Sequence, residues 1–327
     1  MKDLRHIASA SIEMAARSKY GRASWEDPSH RRDRLTEKTK VRTARGDYYR
    51  GTKTPDEITE YYLRGGEQTR FHTAQGQLEA LRTQELLARF LPPPPADILD
   101  VGGGPGYYAR WLATRGYRVT LIDPIPLHVE QAHEAAGREG PEVIARLGDA
   151  RRLEFPDRSM DAVLEFGPLY HLPAQEDRRR ALSEAGRVTK PGRPILVALI
   201  SRFASLLDGL RLGFIDRPGA LAAIAADLRT GEHRNPDRHP ALFTTAYFHH
   251  PDEVADDFES AHLSLEQLIA VEGPAWLFPD LQQRLDDPER RDRVLQAVRM
   301  VETESRMVAV SAHLMAIGRS SGRATGA

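Results

Sequence analysis

Three glycines, Gly102, Gly104 and Gly106, close an apolar run and lead into a segment of helical periodicity. Glycine in such a loop lets the backbone turn sharply and approach a ligand closely. The spacing is not that of a dinucleotide fingerprint. The third glycine comes one step early, and Tyr107 stands where that pattern has glycine. This favours a nucleoside ligand without a pyrophosphate. Acidic residues stand in register with the loop. Asp100 lies just before it, Asp123 ends the next strand, and Asp149 follows Gly148 at the end of the third. One carboxylate at Asp123 can accept from both hydroxyls of a ribose, and Asp149 is placed to accept from an adenine amino group. Asp123 precedes Pro124 and so also suits a helix N-cap. Glu165 lies in an apolar strand, where a carboxylate is costly unless it is paired or faces a cleft.

Histidine and tyrosine are the candidates for proton transfer. Tyr170 and His171 follow the fourth strand, and Tyr247, His249 and His250 lie where an irregular segment returns to the sheet. His171 is the first candidate for a general base, with Glu165 as an alternative of raised pKa and Tyr170 beside them. Tyr61, Tyr62, Arg64, Arg70, Phe71 and His72 precede the sheet. They suit a lid over ligand and acceptor, or an aromatic anchor that packs a helix down. The spacing of His233, His239, His249 and His250 matches no compact ligand motif, so no metal is expected.

The elements that position these residues alternate. Helical periodicity covers 56–64 and 75–91, the second stopped by the run Pro92 to Pro95. Strands are expected at 96–101, 117–123, 143–147, 161–166 and 193–200, and helices at 105–115, 126–138 and 174–188. A helical, irregular insert spans 201–250. Beyond it lie a helix at 251–260, a strand at 263–272, a helix at 288–305 and a closing strand at 307–317. This is an α/β chain with a doubly wound, mostly parallel, seven-stranded sheet, whose strand C-termini share one ligand-binding edge. The domain reading is a basic arm at 1–53, lid helices at 54–95, the sheet domain at 96–318 and a flexible tail at 319–327.

Composition narrows the chemistry. The 327 residues contain no Cys, which excludes disulfides, thiolate nucleophiles and Cys-held metals. Residues 1–53 carry 14 Lys/Arg against 7 Asp/Glu, a charge of +7, and the rest carry −8. The arm suits a loosely docked or disordered segment, or one that contacts an acidic partner. The acidic body argues against a nucleic-acid partner. No apolar run approaches the ~18 residues of a membrane span, and the first residues lack the apolar core of an export signal. A cytoplasmic protein is therefore expected, with a homodimer left open.

The ordered segments DVGGGPG, LIDP and GDARRLEFPDRSMDAVLEFGPLYHL resemble a class I S-adenosylmethionine-dependent methyltransferase, from about Glu57 to Gly318. GPLYHL, ISRFASLLDGL, HPALFTTAYFHHPDE and SAHLMAIGR are similar to a bacterial small-molecule-type subgroup whose members mostly have no assigned acceptor. The resemblance implies a Rossmann-like sheet with a helical lid and S-adenosylmethionine as cofactor. It implies that Asp100, Gly102, Gly103, Gly104 and Gly106 hold the methionine part, Asp123 and Pro124 the ribose, and Asp149 and Ala150 the adenine. Glu165 and Phe166 would line the same cleft, with Tyr170 and His171 over the methyl position. Tyr61, Tyr62, Arg70, Tyr247 and His249 would form the lid and acceptor side. The expected activity is methyl transfer to oxygen, nitrogen or carbon of a small molecule. The alternatives are transfer to RNA or protein through the basic arm, and a domain that binds the nucleoside without turnover.

Overall fold

In a computed structural model, residues 54–136, 143–236, 238 and 242–320 are described. The readings made for 1–53 and 321–327, and for His239, lie outside them. By its contacts the chain divides into two units, Met1–Asp56 and Glu57–Ala327.

Helix α1 (Asp56–Leu63), a 3-10 turn (Gly66–His72) and α2 (Ala74–Phe90) precede the sheet. Thr73 caps α2 by accepting from the Gly76 amide, and the helix ends before the proline run. The alternation then follows: β1 (Asp97–Val101), α3 (Tyr107–Ala113), β2 (Arg118–Asp123), α4 (Pro126–Ala136), β3 (Val143–Leu147), β4 (Ala162–Glu165), the single turn α5 (Pro168–His171), α6 (Gln175–Val188) and β5 (Pro194–Ile200). The insert forms α7 (Ala204–Leu212), α8 (Ala220–Thr230) and a two-stranded ribbon of β6 (Glu232–His233) and β7 (Ala246–Tyr247). The chain closes with α9 (Val254–Ser260), β8 (Leu263–Ala270), α10 (Leu281–Asp286), α11 (Pro288–Val301) and β9 (His313–Ser320).

The main sheet has seven strands in the order β3-β2-β1-β4-β5-β9-β8. Strands β1 to β5 are mutually parallel, and β9 runs antiparallel to both of its neighbours. The chain therefore reverses between β1 and β4, at the switch point where open α/β sheets bind ligands. Strand β4 is buried along its whole length, as its all-apolar run up to Glu165 requires. Strand β3, at the edge, exposes Ile144, Arg146 and Leu147.

Register decides where the strand-end acids point. Asp100 lies opposite Leu164, and Glu165 opposite Val101. Side chains alternate along a strand, so Asp100 and Glu165 face opposite sides of the sheet. Ile98, Ala162 and Leu164 join the core beneath α2 and α3, while Leu99, Val101 and Val163 join the core beneath α6 and α9.

Several boundaries differ from those expected, among them the ends of β8 at Ala270 and of α11 at Val301. Helix α3 starts at Tyr107 rather than Pro105, because Gly106 takes a φ of +81°, outside the helical region. Residues Pro251–Glu253 form a 3-10 turn before α9, capped by the His250 ring. The closing strand begins at His313 rather than Met307. Val308–Val310 form a 3-10 turn, and the Ser311 hydroxyl accepts from the Glu272 and Gly273 amides, which turns the chain before the strand starts. Strand β9 runs on to Ser320, two residues into the segment read as tail.

Candidate functional site

The loop after β1 is shaped by its glycines. Gly102 and Gly104 have φ of +75° and +56°, and Gly103 allows the loop to lie on the acid below it. A Cβ on Gly103 would stand 2.5 Å from Asp100 Oδ2 and 2.6 Å from Leu121 Cδ1. Asp100 is fully buried, and neither of its oxygens has a hydrogen-bond partner. Burial, helped by the negative charge of Asp123, pushes its carboxyl up to about 7. Glu165 is in the same condition on the other face. It is fully buried with both oxygens unpartnered, and burial with the charge of Asp149 pushes it up to about 8. Native folds rarely leave buried carboxylates unpaired, so this pair marks a place for groups that donate.

The other two strand-end acids are already engaged. Asp123 Oδ2 accepts from the Gly104 amide at 2.9 Å, and Oδ1 accepts from the Ile125 amide at 2.9 Å and faces His128 Nδ1 at 3.1 Å. Asp123 thus holds the loop and the turn into α4; the amide it takes there, that of Ile125, lies before the helix begins at Pro126, so Asp123 does not cap it. Asp149 holds Arg151 through its backbone amide, Nε and NH2, and Arg151 reaches on to Asp177. Pro124 is exposed, whereas Ala150 and Phe166 are buried. The Phe166 ring meets that of Tyr108 edge-on at 5.5 Å.

The aromatic residues before the sheet meet the loop after β4. The Tyr62 hydroxyl lies 2.6 Å from His171 Nε2, and His171 Nδ1 lies 3.3 Å from the Thr245 carbonyl. A carbonyl can only accept, so the ring carries its proton on Nδ1 and Nε2 accepts from Tyr62. Burial holds His171 down to about 4, against the pull of that carbonyl, so the ring is neutral at physiological pH. Burial raises Tyr62 well above its usual range and Tyr170 to about 12. Phe243 packs on Tyr61 and His171, each at 5.5 Å between ring centres. Three distant segments therefore build one group: α1, α5 and the stretch before β7.

Arg70 pairs with Glu67 at 3.3 Å and also with Glu79, and the Glu67 chain lies over Gly104. Tyr247 and His249 are placed elsewhere. The Tyr247 hydroxyl donates to Glu253, and the Arg178 guanidinium lies 3.5 Å over its ring. His249 is buried against Tyr247. Two other described histidines of the irregular segment have separate duties: His233 pairs with Asp227 at 2.8 Å, and His250 caps a turn. His128, Glu67, Phe243 and Thr245 were not singled out in the sequence. His128 carried a usable signal. It lies in the first turn of the helix that begins just after Asp123, and so can turn back towards it.

Residues 98–192, which span the loop and the strand-end acids, match a methyltransferase domain family. An uncharacterized methyltransferase of Mycobacterium sp. (strain JLS) is 30% identical over 180 residues, covering 54% of this chain and 67% of that protein. The chain belongs to the S-adenosylmethionine-dependent methyltransferases. An uncharacterized methyltransferase of Mycobacterium bovis is 34% identical over 125 residues, 37% of this chain. The chain spans about half of that relative's length, 48%. The 2-methyl-6-phytyl-1,4-hydroquinone methyltransferase of Synechocystis is 40% identical over 111 residues, 32% of each chain. The crystal structure of a Pyrococcus horikoshii protein superposes on the methyltransferase with a TM-score of 0.53 at 16% identity, covering 80% of this chain and 98% of that one, which shows the shared fold. Among the described residues, no helix is long and apolar enough to cross a membrane. The methyl donor of this family carries an ammonium, a sulfonium and a ribose. The unpartnered buried carboxylate of Asp100, directly beneath the glycine loop, fits the cationic part of such a group.

Proposed function

We propose that this methyltransferase acts on a small-molecule acceptor, with His171 and Tyr62 handling the acceptor's proton. The observation that carries the reading is the 2.6 Å contact between the Tyr62 hydroxyl and a neutral His171 ring, oriented from behind by the Thr245 carbonyl. An acceptor hydroxyl or amine that replaces Tyr62 at Nε2 meets a lone pair ready to take its proton. Tyr170, buried against His171 with ring centres 4.8 Å apart, fixes the ring from the side. Glu165 is the second candidate base, since its raised carboxyl holds or releases a proton near neutral pH.

When bound, S-adenosylmethionine supplies an electrophilic methyl on its sulfonium. Asp100, Gly102, Gly103, Gly104 and Gly106 are the residues that would hold its methionine part. Asp123 and Pro124 would hold the ribose, Asp149 and Ala150 the adenine, with Glu165 and Phe166 along the cleft. Tyr61, Tyr62, Arg70, Glu67 and the insert close over the site and exclude water. Tyr247 and His249 support the returning ribbon beneath it.

Two features favour a small acceptor. The −8 charge of residues 54–327 repels a phosphate backbone, and the hydroquinone methyltransferase relative acts on a small molecule by its name. The test is incubation of the full chain with methyl-tritiated S-adenosylmethionine and host extract, separated into small molecules, RNA and protein, with Asp123→Ala as blank. Label in the small-molecule fraction, absent from the blank, is expected. Label in RNA or protein overturns the acceptor class, and binding without label in any fraction favours a domain that only binds.

A further inference from the structure

We propose that His128 is a cofactor-positioning residue that shares the two ribose hydroxyls of the bound nucleoside with Asp123; this rests on the cofactor placement proposed above. His128 lies on α4, is 3% exposed, and sets Nδ1 3.1 Å from Asp123 Oδ1. A carboxylate accepts, so in the neutral ring Nδ1 carries the proton and Nε2 keeps its lone pair. That Nε2 is buried and has no hydrogen-bond partner. A buried acceptor left unpaired is destabilising, and native folds keep few of them without a reason.

The acceptor capacity around Asp123 explains the need for a second residue. Each carboxylate oxygen offers about two lone-pair directions. Oδ1 is filled by the Ile125 amide and by His128, and Oδ2 holds the Gly104 amide. One direction remains on Asp123, and one lone pair stands open on His128. Two acceptors therefore serve two hydroxyls, and the hydrogen bond that ties His128 to Asp123 also sets the spacing between them. The far side of the His128 ring meets Tyr62 edge-on, with centres 5.0 Å apart, and Tyr62 is bonded to His171. The imidazole is thus a common wall between the nucleoside side and the acceptor side.

The test is calorimetric binding of S-adenosylhomocysteine and its 2′-deoxy and 3′-deoxy forms to the full chain and two variants. His128→Asn places an amide nitrogen where Nδ1 was, which preserves donation to Asp123 and deletes the Nε2 acceptor. His128→Gln places an amide near Nε2 and preserves an acceptor there. The wild type is expected to lose about five- to tenfold in affinity for each missing hydroxyl. In His128→Asn the loss for one of the two deoxy forms disappears and the other remains. His128→Gln keeps both losses. If His128→Asn binds more weakly yet discriminates both deoxy forms as the wild type does, His128 only props the fold and the proposal fails. If His128→Asn does not fold, equal affinity of His128→Gln for all three ligands also overturns it. A wild type that binds none of the three ligands overturns the cofactor placement itself, which separates that failure from this one.

Discussion

The two halves of the candidate site are built by different means. On the side of β1 and β2, the loop glycines, Asp100 and Asp123 come from one stretch of about two dozen residues. Their geometry is local: the Gly104 amide reaches Asp123 across 19 residues, and the Ile125 amide reaches it across two. On the other side, Tyr62 meets His171 across 109 residues and His171 meets Thr245 across 74. Thr245 in turn donates to Glu57, at the start of α1, across 188. A local site is written into spacing. A site gathered from three segments exists only once the insert has packed against α1. On the proposed reading, cofactor grip and acceptor chemistry are expected to respond to separate substitutions.

The sharpest way to break that separation is His171→Ala. Removal of a general base lowers kcat by about a hundredfold or more. The affinity for S-adenosylhomocysteine should stay within about twofold of wild type by calorimetry. A parallel loss of affinity would mean that the two sides are one unit. Next in size is Gly103→Ala. The added Cβ would stand 2.5 Å from Asp100 Oδ2, so the loop must lift. Loss of one or two loop hydrogen bonds weakens S-adenosylhomocysteine by at least tenfold, with the Tyr62–His171 contact untouched. An unchanged dissociation constant would refute the close approach of the loop.

A pH series sharpens the same comparison. The carboxyls of Asp100 and Glu165 are held up to about 7 and about 8 by burial. The folded protein then binds more protons than the unfolded chain between about pH 4 and those values. Stability from these groups is full below the ordinary carboxylate pKa and is lost as pH rises through 7 and 8. The ligand-free Tm should fall by a few degrees between pH 5.5 and 8.5, and Asp100→Asn with Glu165→Gln should flatten the slope. A rising Tm in the wild type would contradict the assignment. His171 acts in the opposite sense. Its pKa is lowered to about 4, so its contribution is present above about pH 6.5 and is lost as pH falls towards 4. The smallest effect is expected from Tyr62→Phe, which removes one hydrogen bond. Turnover should fall by about three- to tenfold with stability lowered by about 1 kcal/mol, read by single-turnover kinetics and thermal unfolding.

The sheet was legible because its strands are short apolar runs between turn residues, and because alternation with helices leaves few topologies. Asp100, Asp123 and Asp149 were legible from their place at strand ends. Spacing does not record occupancy, however. It treats Asp100 and Asp123 alike, yet one lies unpartnered under Gly103 and the other accepts from two backbone amides. The start of α3 was missed because Gly106 adopts a left-handed φ, which outweighs the proline before it. The closing strand was placed too early because Val308 to Val310 are as apolar as the strand itself, and only the Ser311 hydrogen bonds mark the turn. Tyr62 and His171 were each suspected, but their pairing depends on long-range packing that no local pattern contains. Tyr247 and His249 were read for the acceptor side; in the fold the Tyr247 hydroxyl donates to Glu253 with Arg178 over its ring, and His249 lies buried against Tyr247, contacts that no local pattern announces.

The register between β1 and β4 has a consequence for how this domain tolerates change. Because Glu165 stands opposite Val101 while Asp100 stands opposite Leu164, the site depends on odd and even positions along the two strands. Deleting one residue from β4 inverts that parity. It turns the carboxylate of Glu165 into the core beneath α2 and swings an aromatic towards its former place. Deleting two residues shortens the strand but restores the parity. Insertions and deletions in this strand are therefore filtered by whether they count in ones or twos, and length variation among working versions of the domain should collect in the loops instead.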